Sequence, residues 1–86
     1  MELEPGTYSV GELEENFALM GEIDIDGERR VAYAEGGVKQ TEDSEVQNYL
    51  LMKPSDDEMV FEGETIWPTD YWARVRQNRR NKETPP

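Results

Sequence analysis

Two parts of the chain carry strand-like hydrophobic patterning, and each is interrupted by turn-forming residues. Phe17–Ile25 and Arg29–Ala34 flank Asp26-Gly27, a dipeptide suited to a tight hairpin. A strict two-residue loop sets Ile23 opposite Arg30 and Glu22 opposite Val31, mixing apolar and charged side chains on each face. A three-residue loop opposes odd residues to odd ones. Leu19, Ile23, Val31 and Tyr33 then share one face, and Glu22, Asp24 and Arg30 the other. The pattern therefore predicts the three-residue loop.

Gly36-Gly37 ends this hairpin, and Gln40–Glu45 is polar and aperiodic, as a loop would be. Val46–Lys53 follows, apolar on both faces from Tyr49 to Met52, which suggests a central strand. Pro54–Asp57 reads as a four-residue turn into Glu58–Glu62. That register opposes Met52 to Met59, Leu51 to Val60, Leu50 to Phe61 and Lys53 to Glu58. Gly63 is expected to bend the chain before Thr65–Trp67 leads into a helix.

The helical signal is strongest at Glu64–Arg80. Thr69 is the expected N-cap, with Asp70 at the positive end of the dipole. Tyr71, Trp72 and Val75 fall on one stripe, and only polar or charged residues follow until Pro85. Near the other end, Ser9-Val-Gly-Glu12 fits a capping box, with Leu13, Phe17 and Met20 at helical spacing. Gly11 weakens that helix, and Thr7–Val10 reads equally well as a short edge strand. Met1–Gly6 is an acidic lead-in.

These elements assemble into an α+β fold. It has a small antiparallel sheet of four to five strands, made from two hairpins, with the C-terminal helix packed on one face. Residues 1–80 form one acidic domain and 81–86 a flexible tail. The expected core is Phe17, Leu19, Ile23, Val31, Tyr33, Tyr49, Leu50, Leu51, Val60, Phe61, Ile66, Trp67, Trp72 and Val75.

Charge changes the picture more than composition does. The 86 residues hold 20 Asp and Glu against 9 Lys and Arg, for a net charge of −11. The asymmetry is steep: residues 1–70 carry 19 acids and 4 bases, and residues 71–86 carry 5 bases and a single Glu. An acidic body repels nucleic acid and membranes and attracts basic protein surfaces. Without cysteine there is no disulfide or thiolate chemistry. With neither a signal-peptide pattern nor a membrane-length apolar run, a soluble cytoplasmic protein is expected.

Candidate chemistry is sparse. Histidine is absent, and Ser9, Ser44 and Ser55 have no evident base beside them. Paired carboxylates need a cleft to raise one pKa, which so short a chain is not expected to build. No enzyme and no cofactor is expected. Glu22–Gly27 faintly suggests a calcium loop, but Glu22 and Tyr33 stand where Asp and a bidentate Glu are required, so a hairpin turn is preferred and no metal is assigned.

Two charged arrays remain. Glu22, Asp24, Asp26 and Glu28 occupy alternate positions, with Glu12, Glu14 and Glu15 expected to stand nearby. Before the turn, such a row repeats a carboxylate every ~6.6 Å, twice the rise per strand residue. It suits docking on a basic protein surface, in imitation of a nucleic-acid backbone, or else it is a solvated or salt-adapted face. Arg74, Arg76, Arg79, Arg80 and Lys82 lie near Tyr71 and Trp72 and suit phosphate contacts, or else a dipole-matched helix end. The leading expectation is a non-catalytic inhibitor or accessory factor acting through the acidic row. A structural assembly subunit, such as a virion component, and a nucleic-acid binder using the basic helix are the alternatives.

Overall fold

The computed structural model describes residues 3–36 and 48–83, with side chains as far as Arg80. The elements are β1 (Gly6–Ser9), α1 (Val10–Glu14), β2 (Phe17–Ile25), β3 (Glu28–Glu35), β4 (Tyr49–Ser55), β5 (Glu58–Ile66) and α2 (Pro68–Glu83). The strands form one five-stranded antiparallel sheet in the order β1-β5-β4-β3-β2. The fold is therefore α+β, with the C-terminal helix packed against the sheet. Gly37, the polar stretch Gln40–Glu45, the expected strand start at Val46, and Thr84–Pro86 lie outside the described residues.

Both sheet faces are covered, which explains why β3 and β4 are apolar on each side. On one face α2 packs over Met20, Ile23, Ala32, Ala34, Tyr49 and Leu51, burying Tyr71 among them. On the other, Leu13 of α1 joins Phe17, Val31, Tyr33, Met52 and Phe61, with Tyr8 of β1 packed beside them. The ambiguity at residues 7–10 resolves into both elements: β1 ends at Ser9, whose Oγ accepts the Glu12 N–H at 3.2 Å and so caps α1.

The first hairpin turns in two residues, not three. Ile25 pairs with Glu28, while Asp26 (φ 54°) and Gly27 (φ 81°) both lie in the left-handed region that a tight hairpin turn requires. Ile23 does oppose Arg30, and Glu22 opposes Val31. The chain tolerates this because each charge has a local partner. Arg30 donates to Glu28 and Glu64 carboxylates at 2.7 and 3.0 Å, and Arg29 donates to Glu22. A register shift between Leu19 and Gly21 then restores Leu19 opposite Tyr33 and Phe17 opposite Glu35.

The second hairpin is likewise tighter than its sequence suggests. Asp56-Asp57 is the loop, with Asp56 at φ 55°, so Ser55 pairs with Glu58, Lys53 with Val60 and Met52 with Phe61. The expected Met52–Met59 and Lys53–Glu58 pairings are displaced, and Lys53 instead bonds Glu62 at 2.6 Å. Gly63, at φ 92°, sits in an irregularity that carries β5 round to place Ile66 opposite Tyr49.

In α2, Pro68 takes the first helical position, where its missing N–H costs nothing, and Trp67 C=O accepts the Tyr71 N–H at 2.9 Å. Thr69 is therefore inside the helix and is not its cap. Trp67 is 63% exposed and Leu19 46% exposed, so neither belongs to the core. Tyr71 is the buried ring of α2, while Trp72 is half-buried and donates from Nε1 to Tyr49 Oη at 3.3 Å.

Candidate acidic face

Leu13 is the anchor that orients α1. Its burial against Phe17 and Tyr33 turns Glu12, Glu14 and Glu15 outward, where all three are exposed. The same side of the sheet receives carboxylates from β2. Glu22 pairs across from Val31, which belongs to the α1-side core, and Asp24 lies two residues on and so shares its face. Tyr33 joins the two acidic groups. Leu19 stands opposite it on β2, and the Glu14 carboxylate acts on its phenol, whose pKa is raised mainly by burial and further by that negative charge.

Among the described residues, Glu12, Glu14, Glu15 and Asp24 have no ion-pair partner for their carboxylates, and Glu22 is paired with Arg29. The result is a predominantly anionic surface with the partly exposed Leu19 on it. The sequence-based row does not survive as one line. Asp26 sits in the turn, and Glu28 projects to the opposite face, where the Arg30 guanidinium holds its carboxyl below the ordinary range. Arg30 is 7% exposed and also donates to the Arg29 carbonyl, so this cluster closes on itself.

The basic residues of α2 occupy the other side of the sheet. Arg76, Arg79 and Arg80 are exposed and Arg74 is half-buried, while the Lys82 side chain lies outside the described residues. Tyr71, one of the two rings beside these basic residues, is buried between Tyr49 and Trp72 and is not free to stack on a base. Sequence reasoning missed Leu19 as a surface residue because the β2 register shift is not visible in alternation alone.

Among the described residues, no group of His, Cys, Asp and Glu is arranged to hold a metal ion, and no helix is long and apolar enough to cross a membrane. Compared with protein-family models, curated proteins and solved structures, the chain finds no match.

Proposed function

We propose that this protein is a non-catalytic inhibitor or accessory factor that docks its α1/β2 face on a basic protein surface, in competition with nucleic acid for that surface. The observation supporting this reading is the concentration of carboxylates without ion-pair partners, among the described residues, on the α1/β2 side, whereas the acids Glu28 and Glu64 on the helix side are bonded to Arg30. Glu12, Glu14, Glu15, Glu22 and Asp24 share one side, and the arginines of α2 occupy the other. Carboxylates on one side steer a cationic partner and set its orientation, which acts mainly on the association rate. Leu19, 46% exposed within that field, supplies an apolar contact that charge alone does not.

The test is affinity capture from the native host at low and high salt, followed by association kinetics of the captured partner with the parent and a Glu22→Lys/Asp24→Lys variant. A basic partner, weakened by salt and slowed by the reversal, supports the docking function. A salt-resistant partner with equal rates for both proteins rejects it and favours an assembly subunit. Loss of binding only when Arg76, Arg79 and Arg80 are neutralised favours the nucleic-acid reading.

A further inference from the structure

On the face opposite the acidic surface, α2 and the sheet leave a groove of about 320 Å³ lined by Ile25, Ile66, Asp70, Ala73, Arg74 and Gln77. Ile25 and Ile66 are half-buried and make an apolar floor, and the helix supplies the polar wall. Ligand clefts run from about 300 to 1,000 Å³ and combine apolar lining with a few convergent polar groups, so this one suits a small molecule.

The charges in the wall indicate which molecule. Arg29, Arg30 and Lys53 are each bonded to carboxylates. Arg74 is half-buried and, among the described residues, has no ion-pair partner in a chain of net charge −11. Asp70 stands one helical turn earlier, the spacing at which opposite charges commonly pair, yet the two do not bond. A cation and an anion, both without an ion-pair partner among the described residues and lining one groove over an apolar floor, match a ligand with the complementary pair of charges and an apolar body.

We propose that this groove binds a small apolar zwitterion, an aliphatic α-amino acid or the short peptide that carries the same two termini. Its carboxylate meets the Arg74 guanidinium, its ammonium meets Asp70, and its side chain covers Ile25 and Ile66. Gln77 offers an amide to the carboxylate. The site is independent of the acidic face, so either reading can fail without the other.

Amide chemical shifts of the full chain, followed during titration with leucine, leucyl-alanine, 4-methylpentanoate and isoamylamine, test the proposal. Leucine or leucyl-alanine should produce saturable shifts at Ile25, Ala73, Arg74 and Gln77, and whichever binds more tightly identifies the source. The two singly charged analogues should bind roughly tenfold more weakly, as expected when one charged hydrogen bond is lost. Arg74→Gln and Asp70→Asn should each weaken leucine or leucyl-alanine similarly while leaving the circular dichroism spectrum unchanged. Absence of saturable shifts with both zwitterions, equal affinity for 4-methylpentanoate, or undiminished binding by Arg74→Gln would overturn it.

Discussion

The Tyr71 hydroxyl lies against Gly21 so closely that a Cβ at that glycine would stand 2.9 Å from Oη. This contact joins the first turn of α2 to β2 at the point where its register shifts. Gly21→Ala should therefore destabilise by ~1–3 kcal/mol through overpacking, with a further cost because Gly21 lies at φ 155°, where residues with a Cβ are strained. Tyr71→Phe in the same chain removes the obstructing oxygen and should recover part of that loss. Urea unfolding of the parent, both single variants and the double variant gives the coupling. Strict additivity would mean that the two residues do not meet.

Tyr71 is 2% exposed and makes edge-on contacts with Tyr49 and Trp72, at centroid distances of 5.2 and 5.0 Å. Tyr71→Ala should cost ~3–5 kcal/mol, as for other large buried rings, which is enough to unfold much of so small a domain. Trp72→Ala should cost less, about 1–3 kcal/mol, because that ring is half-buried and its N–H shares a single bond with Tyr49. Thermal melts of the two variants rank them. The reverse order would mean that α2 is rotated about its axis.

The two neighbouring rings of α2 mark the limit of what hydrophobic spacing discloses. Strand positions, the α+β class and the amphipathic start of α2 followed from alternation, turn residues and helical spacing. Which of Tyr71 and Trp72 faces the sheet did not, since adjacent residues at a helix start both fit one broad stripe, and Pro68 rather than Thr69 sets its phase. Register failed for a related reason. Alternation argued against pairing Ile23 with Arg30, but Glu28 and Glu64 make a buried arginine tolerable there, and Glu64 is distant in sequence. The acidic side was legible as composition and spacing. That Glu28 leaves it, and that Leu19 is exposed there, depended on the two-residue turn and the shift near Gly21.

Alkaline pH should unfold the protein through Tyr71. Burial, and secondarily the neighbouring Tyr49, push its phenol up to about 12, from an ordinary value of 10.0. The folded state thus holds this proton more tightly than the unfolded chain does. The stabilisation is complete below pH ~10 and is lost as pH rises towards ~12, on the order of 2 kcal/mol across that window. Tyr33, raised in the same direction, adds to the effect. Urea midpoints between pH 9 and 12 should fall for the parent and fall less for Tyr71→Phe. Parallel slopes would remove Tyr71 as the cause.

Arg30 should be required for hairpin stability although it lies beyond the helix-covered core. Arg30→Met leaves the aliphatic stem but strips Glu28 and Glu64 of their partner, so stability should fall, though only modestly because both carboxylates reach water. The loss should shrink in acid. The Glu28 carboxyl has a lowered folded pKa, so its contribution is present above its ordinary value of 4.5 and fades as pH drops through the folded value. Denaturant unfolding of parent and variant at pH 7 and pH 3 measures this, and a gap that is equal at both would count against the ion pairs.

The outer strand β2 presents a different problem, because a sheet edge offers unpaired backbone groups to any passing strand. Asn78 of α2 occupies part of it: its Oδ1 accepts the outward Asp24 N–H at 3.0 Å. The irregular register near Gly21 breaks the remaining edge, and Glu22 and Asp24 add charge that a second copy of the chain would meet with its own. Asn78→Ala should lose ~1 kcal/mol for the missing hydrogen bond. Its effect on association should depend on salt. At low ionic strength, repulsion between acidic copies keeps the variant no more associated than the parent. At 1 M salt, where screening acts within ~3 Å, the uncovered edge should draw copies together. Sedimentation velocity of parent and Asn78→Ala at both salt concentrations separates the two contributions. Greater association of the variant only in high salt identifies Asn78 as an edge guard working together with charge. Equal association of parent and variant at both salt concentrations would leave Asn78 with a purely local role in fastening α2 to β2.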